Sequence, residues 1–370
     1  MQRTIRFVAL FCALAVFCCA AAVANAAEKK DKVKAAFALL ETIDDQGWTT
    51  AHYDGIQYLQ EKLGDKVEVG YTENVINPAD AERVLRDYAE QGYDVIFATT
   101  FGHMDPALQV AKDFPDTTFE HCSGYKTAPN MGTYFGRMYQ AEYLAGYMAG
   151  LMGYSNVGTV ATQPIPEPIR GINAFTLGLT RGLDEAGIKY DPEKINTVTW
   201  LKAWRDPINE TTLAETLAAR GHDLIRQMAD TPDSAKAACA AGTPAIGYGV
   251  DSAKYGADCA LVSTEWNWGP IYVQQVQQVL EGDWKMQEYW GGFEDNAIKI
   301  SEFNKDVPQD VQDKVNAVKK EFEAGNEAIF TGPIYAQNGT LMVKEGEQAS
   351  DGDLLTMRWL VKGVSGSIPE

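Results

Sequence analysis

Short, almost wholly apolar runs alternate along this chain with longer stretches in which apolar residues return every third or fourth position. The first pattern marks a strand buried on both faces and the second an amphipathic helix. Residues 34–40 read as a strand. Residues 48–63 read as a helix with Tyr53, Ile56, Leu59 and Leu63 on its apolar face. A strand at 67–72, a helix at 78–90, a short buried strand at 95–98 and a helix at 104–114 continue the series, followed by extended pieces at 117–121 and 131–136. Residues 139–152 predict a helix whose Ala and Gly positions let another backbone come close. A second series starts near Asn156, with strands at 157–161, 198–201, 224–228 and 245–248 and helices at 169–185, 211–220 and 234–240.

Apolar strands separated by amphipathic helices imply βαβ units and parallel sheets covered on both faces. The expected fold class is therefore α/β, with two doubly wound, Rossmann-like lobes joined by a hinge. Residues 27–154 plus 266–302 form the first lobe in this reading, and 155–265 plus 303–370 the second. The crossings fall near Ser155, Glu265 and Phe303. The packing of the segment from Ser350 to Gly363 is left open.

The chain begins with a short basic stretch bearing Arg3 and Arg6, an apolar run over 7–22 and the small-residue triplet Ala24-Asn25-Ala26. This is the layout of an export leader, with cleavage expected after Ala26 and a periplasmic location. Bulky Phe17 before Cys18 and Cys19 disfavours a lipid-anchored start. Loss of Arg3 and Arg6 takes the net charge from −19 to −21, which repels phosphate backbones and argues against nucleic acid as a partner. Three cysteines remain after the leader. Either Cys239 and Cys259 close a disulfide, since one ends a helix and the other opens a strand, or all three are reduced core thiols.

In doubly wound sheets a ligand sits beyond the carboxyl ends of the strands, so the strand-to-helix turns hold the candidate site. The first turn offers Asp45 and Trp48, and the third offers Phe101 and Asp105. In the second lobe a Pro-rich turn presents Glu167, and Trp204 follows a strand. Asp251 lies in a Gly-flanked turn, and Trp266 belongs to the dense cluster Ser263-Thr264-Glu265-Trp266-Asn267-Trp268. Asp45 and Asp105 read equally as helix caps. Indoles beside carboxylates suit a planar heteroaromatic ring with N–H groups at its rim; sugars stack on indoles too.

The stretches Phe101-Gly102-His103-Met104-Asp105-Pro106-Ala107-Leu108, Ala111-Lys112-Asp113-Phe114-Pro115-Asp116, Ala141-Glu142-Tyr143-Leu144-Ala145-Gly146 and Gly247-Tyr248-Gly249-Val250-Asp251-Ser252 resemble the basic membrane protein family. These are substrate-binding proteins of ABC transporters, of the purine-nucleoside type, with the type I periplasmic fold. The resemblance implies that Trp48 and Trp204 are the two stacking walls, that Asp105 reads the purine edge and that Asp251 holds a ribose. Trp266 stands where the family has a ribose-binding lysine, and Thr49 where it has an asparagine. The exchange at Trp266 points to a free purine base, such as adenine, in place of a nucleoside.

Enzymatic readings find no constellation. His52, His103, His121 and His222 share no metal-ligand spacing, and no Gly-rich Lys-Ser/Thr phosphate loop occurs. Glu120-His121-Cys122 lies on a strand, where neighbours point to opposite faces. The expectation is a monomeric, non-enzymatic binding protein without cofactor or metal. Its partners are a small-molecule purine and the ABC permease subunits of the inner membrane. The rival reading is a binder of sugars or other polar solutes that serves a permease or a chemoreceptor.

Overall fold

The structure, a computed structural model, describes residues 29–370. The expected leader and its cleavage site lie outside these residues. The first half of the chain runs β1 (Val33–Ala38), α1 (Trp48–Leu63), β2 (Val67–Thr72), α2 (Pro78–Glu90), β3 (Val95–Ala98), α3 (Met104–Asp113), β4 (Thr118–Cys122) and β5 (Met131–Gly136). There follow α4 (Tyr139–Leu151), β6 (Val157–Ala161), α5 (Pro166–Glu185), β7 (Asn196–Trp200), α6 (Pro207–Ala219), β8 (Leu224–Gln227), α7 (Asp233–Ala240), β9 (Ala245–Gly249) and β10 (Ala260–Trp266). The chain then returns through α8 (Gly269–Glu281) and β11 (Glu288–Gly291), and finishes with β12 (Ile298–Ile300), α9 (Gln309–Glu323), the strands β13 (Ile334–Tyr335) and β14 (Leu341–Val343), α10 (Asp351–Leu355) and β15 (Val364–Ser365).

Two sheets result. The first has the order β11-β5-β4-β3-β1-β2 and is parallel throughout. The second has the order β12-β10-β9-β8-β6-β7-β15 and is parallel except for β12. Strands such as Val95–Ala98, buried at every position, form because helices cover both faces of a parallel sheet. The helix starts carry their own signals. The Asn77 side chain accepts from the Asp80 N–H ahead of Pro78, and Asp206 accepts from the Asn209 N–H ahead of Pro207. Pro at the first helical position forfeits no hydrogen bond. This is why α5 and α6 begin several residues earlier than their apolar periodicity indicates.

Two crossings differ from expectation. Helix α4 follows the first sheet in sequence, yet it packs on α5, α9, β10 and β12. The chain therefore enters the second lobe before Tyr139, well ahead of Ser155. Glycines explain the attachment. A methyl at Gly146 or Gly150 would run into the backbone of α5, and one at Gly178 or Gly182 into that of α4. The helices thus meet backbone to backbone. The last crossing also comes early, between Gly291 and Ile298, because β12 pairs with β10.

The C-terminal segment straps the second lobe beside the hinge. Asn173 holds Trp359 and Val361 by their backbones, β15 extends the sheet beside β7, and Asp351 accepts both terminal nitrogens of Arg137 at 2.7 Å. Arg137 also lies over the Trp290 ring at 4.1 Å. Cys239 and Cys259 are joined in a disulfide, and Cys122 is free and buried.

Candidate functional site

In each sheet the strand order reverses at one place, between β1 and β3 in the first and between β6 and β8 in the second. A crevice opens beyond the carboxyl ends at such a switch point. The turns that follow these four strands are Leu39 to Gly47, Thr99 to Phe101, Thr162 to Glu167 and Met228 to Thr231. They face one another across the interlobe cleft, and the lobes touch there. Gly47 lies so close to the Asp230 carbonyl that a side-chain carbon would overlap it. Lys236 donates to Gln46 at 3.0 Å, and Arg205 approaches Glu41 at 3.5 Å. The cleft is in its closed form.

Its inner wall is aromatic. The His52, Trp268 and Trp266 rings stack in succession, with centroids 5.0 and 4.8 Å apart and nearly parallel planes. Trp48 meets all three edge-on and donates its indole N–H to the Thr99 carbonyl at 2.9 Å. Phe135 from the first lobe and Tyr248 from the second close on Trp266. Burial drives the His52 imidazole down to about 3, so it is a neutral packing group bonded to the Tyr272 hydroxyl. The Trp266 and Trp268 indole N–H groups are buried without a partner among the described residues.

The acids fall into three kinds. Asp45 is fully engaged, its carboxylate accepting from the Gly47, Thr49 and Thr50 N–H groups and the Thr50 hydroxyl. It builds the start of α1, with Oδ1 taking three of these hydrogen bonds and Oδ2 one. Asp105 is exposed and paired with Lys126 at 2.5 Å, and Phe101 beside it is 50% exposed. Asp251 accepts from the Ala253 N–H and pairs with Lys254 at 3.6 Å. Glu167 accepts one hydrogen bond, from the Tyr248 hydroxyl at 3.1 Å. Burial raises its carboxyl above the usual range, with Arg170 and Tyr248 opposing.

The structure thus draws Trp48, Trp266 and Glu167 together through Tyr248 and sets Trp204 across the cleft beside the turn after β8. It leaves Phe101 and Asp105 at the solvent edge and gives Asp45 and Asp251 capping work. Trp266, expected as a ligand contact, is only 3% exposed and forms the hinge floor. Sequence reasoning missed Asp230. Its N–H bonds the Trp204 carbonyl, while its carboxylate accepts no hydrogen bond among the described residues. Burial, then the charges of Glu167, Asp45, Glu210 and Glu41, push this carboxyl well above the usual range. The signal was available, since Asp230 follows a strand as every other candidate does. At the edge of the cleft, an open groove of about 330 Å³ runs between Asp44, Gln46, Tyr53 and Asp54 of the first lobe and Tyr255 of the second.

Glu120, His121 and Cys122 form no reactive unit. Glu120 accepts from the Trp284 indole and is pushed up to about 8 by burial. His121 faces the Thr100 carbonyl, and burial raises the Cys122 thiol. No group of three or more metal-binding side chains occurs among the described residues.

Known proteins bear on this geometry. A relative from Brucella abortus, named as a purine-binding protein, is 37% identical over 347 residues, covering 94% of this chain and 97% of its own. A relative from Haloferax volcanii, named as an ABC transporter glucose-binding protein, is also 37% identical, over 92% of this chain and 82% of its own. The fold recurs in an ABC transporter solute-binding protein from Conexibacter woesei, with a TM-score of 0.64 at 23% identity over 80% of this chain and 97% of that one. A family model for ABC transporter substrate-binding proteins of the PnrA-like type matches residues 32–328. With two switch-point crevices meeting in one cleft and this match spanning both lobes, the chain belongs to the Bmp family of ABC transporter substrate-binding proteins, which bind their solutes and do not catalyse.

Proposed function

We propose that the protein captures a purine, as the free base in preference to the nucleoside, in the interlobe cleft. It closes on the base by a hinge motion and presents it to ABC permease subunits from the periplasm. The observation that carries this reading is the pairing of two indoles on opposite sides of the cleft, Trp48 and Trp204, with carboxylates that keep free acceptor oxygens among the described residues, Asp230 and Glu167. A flat ring with N–H groups at its edge uses both, by stacking and by charge-assisted hydrogen bonds. Trp266 fills the place where the family sets a cation for ribose, which favours the base. The Brucella relative's name agrees with a purine. Closure follows from a ligand that contacts both lobes, because its differential affinity favours the closed state.

The Haloferax relative's name supports a second reading, glucose or a similar sugar, since sugars also stack on indoles. Mass spectrometry of the small molecule released on denaturing the purified protein separates the two. A purine base at one per chain supports the proposal. A nucleoside keeps the purine and removes the base preference, and a hexose transfers the case to the second reading.

A further inference from the structure

The edge of the cleft has an unusual balance of hydrogen-bonding capacity. Of the five acids grouped at Asp230, four accept from protein donors, and Asp230 accepts from none among the described residues. Asp45 accepts four hydrogen bonds at the start of α1. Glu210 accepts from the Asp206 N–H at 2.9 Å and the Thr231 hydroxyl at 2.7 Å, and Glu41 faces Arg205. Among the described residues Asp230 keeps both oxygens free, and Glu167 keeps one. The nearby cations are engaged elsewhere. Arg205 is turned to Glu41, and Lys236 lies between Gln46 and Asp233. Arg170 lies over the Trp290 ring beside the C-terminal strap, and its charge acts on Glu167 and not on Asp230. What meets a ligand is therefore a set of acceptors with no donor opposed to Asp230.

We propose that Asp230, with the free oxygen of Glu167, reads the hydrogen-bonding edge of the base. The pair selects purines that carry an exocyclic amino group, adenine or guanine, against dioxopurines such as xanthine. This rests on the purine reading above. An amino group and a ring N–H donate to these oxygens. A ring carbonyl turned the same way sets lone pair against lone pair, and each buried acceptor then loses its water without gaining a donor. The position suits the task. Asp230 stands at the switch point, next to Trp204 and against Gly47 of the opposite lobe, so a base held there touches both lobes. Burial and its acidic neighbours raise this carboxyl, and donors arriving with the ligand favour its ionised form, which only accepts.

Isothermal titration of the wild-type protein with adenine, guanine, hypoxanthine and xanthine, repeated with Asp230→Asn and Asp230→Ser, tests this. The wild type is expected to bind adenine or guanine at least about tenfold more tightly than xanthine. Asp230→Asn, which offers an amide donor in the same shape, is expected to weaken the aminopurine by about tenfold or more and to narrow its lead over xanthine. Asp230→Ser reads the same loss should the amide disturb folding, which circular dichroism monitors. Equal binding of all four bases by the wild type, or an unchanged ranking in folded variants, overturns the inference and leaves the purine reading standing. Binding of none of them by the wild type overturns both.

Discussion

Replacing Gly47 with Ala adds one carbon at the point where the lobes meet, and so tests closure apart from folding. The new methyl would lie within the van der Waals radius of the Asp230 carbonyl oxygen, with the Asp230 Cα only 3.3 Å away. Both partners are backbone, so no side chain can swing aside. The lobes must part, or the turn must yield, at the typical overpacking cost of about 1–3 kcal/mol. In the free protein, parting forfeits the Lys236–Gln46 and Arg205–Glu41 contacts. Such surface pairs contribute about 0–1 kcal/mol each, so the free protein opens. In the complex the full overlap must be borne, and affinity falls by about 5- to 150-fold, the same 1–3 kcal/mol expressed as a ratio. Titration with adenine gives the affinity, and small-angle scattering without ligand gives the radius of gyration, which rises. The melting temperature of the free variant stays near that of the wild type, because the methyl enters neither lobe's core. Wild-type affinity together with an unchanged radius would refute the closed-cleft assignment.

Three further outcomes are expected. Trp204→Ala lowers purine affinity by roughly tenfold or more with circular dichroism unchanged; full affinity in the folded variant removes Trp204 as a stacking wall. Glu120 is raised from 4.5 to about 8 by burial, so its contribution to stability is complete below pH 4.5 and is lost as pH climbs through 8. Its slope reaches about 1.4 kcal/mol per pH unit in that window. Urea melts from pH 5 to 9 should show a flatter profile for Glu120→Gln, and parallel profiles contradict the assignment. Replacing Cys239 and Cys259 together with Ala opens a link spanning 20 residues. This costs the second lobe about 3 kcal/mol by the loop-entropy relation, and denaturant melts with and without a reductant read it.

Much of the fold was legible because its signals are local. Parallel strands buried on both faces, such as Val95–Ala98, can be written only as continuous apolar runs. The helix starts at Pro166 and Pro207 were written too, in the prolines that periodicity passed over. The allegiance of α4 was not legible. Its Gly146 and Gly150 declare a close approach, but only Gly178 and Gly182 at matching spacing on a distant helix say to what. The site divides the same way. The strand-end rule located Trp48, Glu167 and Trp204, and applied once more after β8 it reaches Asp230. It could not reveal that Asp45 serves its own turn, that Lys126 from another loop pairs with Asp105, or that Trp266 stacks on Trp268. Those outcomes depend on which side chain arrives from elsewhere in the fold.

The glycine contact between α4 and α5 also sets the leverage of the molecule. With no side chains between them the two helices have no slack, so α4 moves as part of the second lobe. Flexing is left to the short link from Gly136 to Tyr139 and the two later crossings. How α4 sits on the second lobe, and so where the chain leaves for the first, is set by four glycines remote from the aromatic wall in sequence. A substitution there would be felt as a door that no longer meets its frame, with every binding side chain still in place.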